Sequence, residues 1–208
     1  DLLESFVATM AAALMIAVTI YKSALSGGTD VCFCDSYYTS PVSTTGYFSM
    51  NSSATNSGGW ASSQMRTNIC GTSLSSYSGT IIAVIPAALR AGLKSVTKYT
   101  DNTGNNSTSA SAVTATKDYF FLLSEFEVFG SISRANSNEA SKQAQYAYYS
   151  AGNSKVKYKH NGTSAAARWW LRSPLASSSD GFENVNTNGT VEDRTARASF
   201  GFAPGFCV

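Results

Sequence analysis

From Ser5 to Tyr21 the chain carries no charge. Apolar side chains (Phe6, Val7, Met10, Leu14, Met15, Ile16, Val18, Ile20) fall on nearly every face of the helix that this run predicts. Ala, Leu and Met favour helix, and no Gly or Pro interrupts the run before Gly27. As a helix it rises about 25 Å, the short end of a membrane span. Such a helix needs hydrocarbon or other helices around it. Asp1 and Glu4 oppose a secretory signal, whose first residues are basic. A membrane or virion anchor, a core helix and a self-associating assembly helix all fit the pattern. Ser26-Gly27-Gly28 makes the natural hinge. It divides a long hydrophobic N-terminal α-helix, residues 1–28, from a globular head, residues 29–208.

The head alternates between helical and strand periodicities, which predicts an α+β fold. Trp60, Met65 and Ile69 share one side of a predicted short amphipathic helix over 60–69. The run Ile81–Leu93 is apolar at helical spacing, and Pro86 divides it into two helices, with the proline in the first turn of the second. Val96–Tyr99, Val113–Thr116 and Tyr119–Leu123 read as strands. Ser124-Glu125-Phe126-Glu127 is a capping box, so these carboxylates read as caps and not as catalytic acids. Asn136 to Glu139 repeats that logic and opens a helix to about Tyr149, which Gly152 ends. Ala167–Arg172 predicts a buried strand with Trp169 and Leu171 on one face and Trp170 and Arg172 on the other. Asn188-Gly189 predicts a two-residue hairpin turn between Phe182–Thr187 and Thr190–Glu192. The segment from Phe200 to Val208 is strand-like, and Pro204 places it at an edge or a bulge.

Composition narrows the function. Lys+Arg 15 against Asp+Glu 13 gives +2, and charged residues make up only 13% of 208. So few cations build no basic surface of the size nucleic acid demands. Ser, Thr and Asn together number 66, about a third of the chain, while aromatics reach 12%. Aromatic content of that order belongs to a folded protein, so the hydroxyls and amides fall on loops and surface. Such surfaces are frequent outside the cell and in virions.

The candidate chemistry is sparse. His160 is the single histidine, in the loop Lys159-His160-Asn161-Gly162. No phosphate-cradling glycine motif or nucleophile elbow occurs. Cys32 and Cys34 are too close for a usual zinc pair, and Cys70 and Cys207 stand alone. The expectation is therefore no enzyme, no cofactor and no metal. A disulfide from Cys70 or Cys207 to Cys32 or Cys34, and a free buried thiol, both stay open. Cys32 and Cys34 do not bond each other, because residues two apart in a strand sit too far apart.

Two resemblances add to this reading. An apolar helix that begins the chain with one early acid resembles mature type IV pilins, whose helices leave the membrane and bundle into a filament core. Glu4 would take the role of the pilin acid, one position earlier than the pilin pattern has it. Phe6, Met10 and Leu14 would pack the filament. Over residues 45–208, the blocks Gly58-Gly59-Trp60, Met65-Arg66-Thr67, Phe121 to Gly130, Trp169-Trp170-Leu171-Arg172-Ser173-Pro174 and Gly201 to Cys207 resemble an uncharacterised domain family of gut Firmicutes and their phages. That family is similar to C-type-lectin-like domains, including the variable proteins of diversity-generating retroelements.

The second resemblance implies a C-type-lectin-like globular head with a ligand-binding face near its C-terminal end. Family members often carry Cys where Glu183 stands, so a disulfide at that position is excluded. A variable surface would comprise Leu175, Ser177, Ser178, Ser179, Asp180, Glu183, Asn184, Glu192, Asp193, Arg194, Thr195 and Arg197. Trp170 and Arg172 read as structural. The expected protein is a surface filament subunit that self-associates through its N-terminal helices, is membrane-inserted before assembly, and displays a head for a cell-surface protein or glycan. A phage virion receptor-binding protein and a membrane-anchored receptor are the alternatives.

Overall fold

A computed structural model describes residues 31–32, 48–159 and 162–208. The predicted N-terminal helix, with Glu4, Phe6, Met10 and Leu14, lies outside the described residues, as does His160. Over its described residues the head is α+β, built from short helices and four small sheets. Among the described residues no helix is long and apolar enough to cross a membrane.

Strand β1 (Val31–Cys32) is followed by helix α1 (Gly59–Ser62) and a π-helical turn, Met65–Cys70. The single helix expected over 60–69 is thus two, and Ser63 is the reason. Its backbone turns extended (ψ 142), and its hydroxyl accepts from the Arg66 amide at 3.2 Å, starting a second helical segment. Trp60, Met65 and Ile69 are buried as their spacing requires. Gly59 has φ +51, and a Cβ there would lie 1.9 Å from the Asp101 carbonyl oxygen, so only glycine fits.

Helices α2 (Ile81–Val84) and α3 (Ala87–Gly92) flank Pro86, which sits at the N-cap of α3 and not inside its first turn. Ile85, just before the proline, is extended, as that position demands. Strands β2 (Val96–Asp101) and β3 (Val113–Asp118) pair antiparallel from Val96↔Asp118 to Asp101↔Val113. Strand β4 (Phe120–Phe121) leads into α4 (Glu125–Phe129). The reciprocal Ser124–Glu127 capping box opens α4, and Gly130 at φ 70 ends it.

The continuous helix expected from Asn136 to Tyr149 does not form. A 3₁₀ segment, Ser137–Lys142, stops at an extended Gln143, and helix α5 (Ala147–Ser150) starts afresh. Tertiary bonds hold the break open: Gln143 Nε2 donates to the Tyr99 carbonyl at 2.7 Å, and the Tyr146 amide donates to the Glu127 carbonyl at 3.0 Å. Gly152 (φ 82) follows the last turn. Glu139 does not cap; it is fully buried, as described below.

Strands β5 (Lys157–Lys159) and β6 (Gly162–Ala167) complete a sheet with β1, which pairs with β5 in parallel. Strands β7 (Trp169–Pro174), β8 (Gly181–Val185) and β9 (Val191–Thr195) form an antiparallel sheet. Every residue of β7 is buried, and its alternation divides the interior. Trp170 packs with Phe48, Trp60, Met65, Phe182 and Phe202, while Trp169 and Leu171 pack with Val128, Val185 and Ala203 on the other side. The final strand, β10 (Gly205–Phe206), pairs with β4 just after Pro204.

The β8–β9 turn is one residue longer than expected. A two-residue Asn-Gly turn needs positive φ at both positions, and only Gly189 has it (φ 84). The Asn186 amide instead donates to the Thr190 carbonyl and the Gly189 amide to the Asn186 carbonyl, which encloses Thr187-Asn188-Gly189 as a three-residue loop. Cys70 and Cys207 both carry free thiols, one buried and one exposed, so neither makes the disulfide left open above.

Candidate functional site: a groove over buried carboxylates

The loop after β7 is shaped by a residue with no sequence motif around it. Asn56 is fully buried; its Nδ2 donates to the carbonyls of Ser178 (2.8 Å), Gly181 (2.9 Å) and Leu175 (3.2 Å), while its Oδ1 accepts from the Asn105 amide at 2.8 Å. One side chain thus fixes the path of residues 175–181. The same loop is stitched to the connection after α4 by an Ala135↔Leu175 bridge and by the Ala176 amide donating to the Arg134 carbonyl at 3.0 Å.

Between these two segments and β9 lies a groove of about 640 Å³. Thr108, Ser133, Arg134 and Ser177 offer it polar groups, while Ala135, Leu175, Ala176 and Val191 give it an apolar surface. At its rim the exposed Arg134 guanidinium pairs with Asp193.

Beneath the rim the polar groups are buried and ordered. Glu125, on α4, holds the groove's connecting segment with both oxygens. Oε1 accepts from the Ser133 amide (2.8 Å) and hydroxyl (2.7 Å), and Oε2 accepts from the amides of Ala135 (3.0 Å) and Arg134 (3.2 Å). Glu139 accepts from the Asp101 amide at 2.9 Å and the Ser173 hydroxyl at 2.8 Å. Burial pushes its carboxyl up to about 7, against the opposing pull of the Asp101 amide and Arg172. Glu183, on β8, is also fully buried; burial, then the charges of Glu125 and Glu139, raise it well above the ordinary carboxylate range.

A second concavity of about 350 Å³ is lined by Lys98, Tyr99, Glu127, Lys142, Gln143 and Tyr146, among others. Lys98 Nζ donates to Glu127 Oε1 at 2.9 Å and to the Tyr146 hydroxyl at 2.7 Å, and lies 3.9 Å from the centre of the Phe121 ring. Burial lowers the Lys98 ammonium from its ordinary value, with Glu127 opposing. Glu127 faces Arg172 on its other oxygen. Burial alone would raise its carboxyl, but the Arg172 guanidinium and the Lys98 ammonium outweigh that and hold it at about 2. This site is a compensated ion network and positions the fold.

The expected surface residues do not form one patch. Ser177, Ser179, Asp180, Arg194 and Arg197 are exposed, and Ser178, Glu192, Asp193 and Thr195 are half-buried. Leu175, Glu183 and Asn184 are buried, which corrects their placement on an accessible face. The reason is the sheet: β8 is its middle strand, covered by β7, β9 and both cores. Alternation also splits β9. Asp193 meets Arg134 beside the groove, whereas Glu192 pairs with Arg168 and Arg194 on the opposite face. Trp170 and Arg172 are fully buried. Ser133, Arg134 and Thr108 belong to the groove and carry no sequence signal for it; their loops meet residue 175 only through the fold. Among the described residues no group of three His, Cys, Asp or Glu side chains is placed to hold a metal ion.

Four of the quoted sequence blocks converge on buried polar anchors. Trp60 Nε1 and Arg66 Nε donate to Asp118 at 3.1 and 2.6 Å, and Arg172 joins β7 to the capping box. No curated protein and no solved structure matches the chain. Residues 38–208, which contain every element from α1 to β10, match a family throughout, and the chain belongs to that family, described as Domain of unknown function (DUF6273).

Proposed function

We propose that the head is a recognition module, and that the groove walled by Ser133–Ala135, Leu175–Ser177 and Val191 is where it meets its ligand. The observation that carries this reading is the pairing of an open, mixed polar and apolar concavity with a scaffold buried on every side beneath it. Small hydroxyls, one guanidinium and short apolar side chains suit an adaptable contact surface, as in loop-built binding sites. The ligand class is a cell-surface protein or glycan. A C-type-lectin-like arrangement is supported by the late antiparallel sheet β7–β8–β9, with residues 175–180 connecting β7 to β8 beside the groove. The uncharged run Ser5–Tyr21 supports an assembly helix, making the whole chain a pilin-like filament subunit at the cell surface.

The test uses full-length protein on glycan arrays and on bacterial and host cell surfaces. Arg134→Ala and Ser177→Trp are expected to abolish binding while leaving the thermal midpoint within a few degrees; binding unchanged in both variants overturns the groove. Electron microscopy of the same material is expected to show regular filaments, and dispersed single particles would remove the filament reading.

A further inference from the structure

We propose that the second concavity, beside Lys98 and Tyr146, is a docking slot for an extended acidic segment of a partner protein, laid along the outer edge of β2. The proposal does not depend on the groove. β2 belongs to a two-stranded sheet, so β3 pairs with one edge only. In an antiparallel ladder, alternate residues turn their main-chain groups toward and away from the partner strand. The Tyr99 carbonyl accepts from Gln143 and Arg172, and the Asp101 amide donates to Glu139, so these two positions face away from β3. Thr97 is in the same phase. Its amide and carbonyl, and the Tyr99 amide, meet no partner among the described residues.

The opposite wall is also main chain with groups to spare. Gln143 is extended (φ −134, ψ 166) and reaches across to the Tyr99 carbonyl with its side chain. Ala144 and Gln145 follow it along the concavity, and their amides pair with nothing among the described residues. An open strand edge faces free amides across a space of about 350 Å³. That is the geometry of strand addition, in which an incoming extended chain completes a ladder its host leaves open. Its carbonyls would accept from the Thr97 and Tyr99 amides, and one of its amides would donate to the Thr97 carbonyl.

Charge selects the occupant. The ion network positions the fold, yet it answers Glu127 twice, with Lys98 and with Arg172. Lys142 lines the same space; it is exposed, lies over the Tyr99 ring and makes no ion pair among the described residues. With the buried Glu139 behind Gln143 included, three cations stand against two acids. The Tyr146 hydroxyl accepts from Lys98, so its own proton is free for an outside acceptor. Unused donors in a positive field call for acceptors with negative charge, which Asp or Glu side chains supply. A basic segment would meet Lys98 and Lys142 with like charge.

Peptides with blocked ends test this on the full chain. Acetyl-Val-Glu-Val-Glu-Val-amide is expected to bind by isothermal titration calorimetry. It should slow hydrogen exchange at the amides of Thr97, Tyr99, Ala144 and Gln145 and leave those of residues 133–135 unchanged. The Gln counterpart, with the same main chain and no charge, is expected to bind about tenfold more weakly, and the Lys counterpart not at all. Main-chain N-methylation of the acidic peptide is expected to weaken it by a similar factor, because its amides can no longer donate to the edge. Lys142→Gln and Tyr146→Phe, both at exposed positions, should each weaken the acidic peptide severalfold while the thermal midpoint stays within a few degrees. Arg134→Ala, in the groove, should leave its affinity unchanged. No binding of the acidic peptide, equal binding of the Gln counterpart, or slowed exchange at residues 133–135 in place of the four slot amides overturns the proposal. Full affinity after N-methylation overturns strand addition, and with it the slot.

Discussion

One oxygen of Glu127 serves two elements at once: Oε2 accepts from Arg172 Nη1 at 2.5 Å and from the Ser124 amide at 3.0 Å. The capping acid of α4 is thereby the counter-ion of the guanidinium buried in β7. Arg172 spends its remaining donors on Thr100 Oγ1 (2.7 Å) and on the carbonyls of Leu122 (2.8 Å) and Tyr99 (3.3 Å), so this fully enclosed cation ties β2, β4's exit, α4 and β7 together.

Removing one partner of such a pair leaves the other charged, buried and alone. Glu127→Ala strands both Arg172 and Lys98, and is expected to cost about 3–5 kcal/mol by urea unfolding. Glu192→Ala breaks solvent-screened pairs to Arg168 and Arg194 and one part-buried hydrogen bond from Asn186 Nδ2, and is expected to shift the urea midpoint far less than Glu127→Ala. Equal effects of the two substitutions would contradict the network.

Stability should fall on both sides of about pH 4.5. Glu127, held at about 2 in the fold, contributes stability that is present above the unfolded value near 4.5 and lost as pH drops from there through 2. Glu139, raised to about 7, acts in the opposite sense. The folded state retains its proton while the unfolded state releases it, so stability declines as pH rises from 4.5 to 7. The slope is at most about 1.4 kcal/mol per pH unit for each such acid. Denaturant midpoints measured across pH 2–8 should show both limbs, and Glu139→Gln should make the upper limb shallower without removing it, because Glu183 contributes to the same limb.

Asn56→Ala removes the bonds that shape residues 175–181. A cost of about 1–3 kcal/mol is expected from the unsatisfied carbonyls left in a buried site. Hydrogen exchange should show the loss concentrated at Ala176, Asp180 and Gly181, with β2 and β3 unaffected. A uniform loss throughout the head would mean that Asn56 supports the core and not the loop.

The two described thiols should differ sharply in reactivity. Burial, and then the charge of Asp118, push the Cys70 thiol up, whereas Cys207 is exposed near the C-terminal end. Peptide mapping after iodoacetamide treatment should find Cys207 modified in the native protein and Cys70 only after unfolding. Modification of both at similar rates would place Cys70 nearer the surface than its packing implies.

Local signals proved legible where the bond partners are close in sequence. The capping box is one case, since Ser124 and Glu127 lie three residues apart. The two faces of Trp169–Arg172 follow from strand alternation alone, and the Ile81–Leu93 break follows from Pro86. The failures share a cause as well. Asn136–Tyr149 carries a helical pattern, yet Gln143 turns out of it to reach Tyr99 on β2. Asn188-Gly189 satisfies a short-turn rule, yet Asn188 keeps a negative φ and the loop lengthens by one residue. Each misreading is a local preference outweighed by a bond to a distant strand or by the pairing of two strands.

By itself the amino-acid sequence determined the alternation of buried and exposed positions and the ends of several helices, such as the one before Gly152, because those depend on backbone sterics and on neighbours within one turn. Only the tertiary structure decided which polar side chains would be enclosed together. Glu125, Glu139 and Glu183 come from three separate elements, and Asn56 acts on a loop more than a hundred residues away. Their chemistry arises from shared burial, where a carboxylate without water must find a donor, a cation or a proton, and that company is set by packing and not by spacing along the chain.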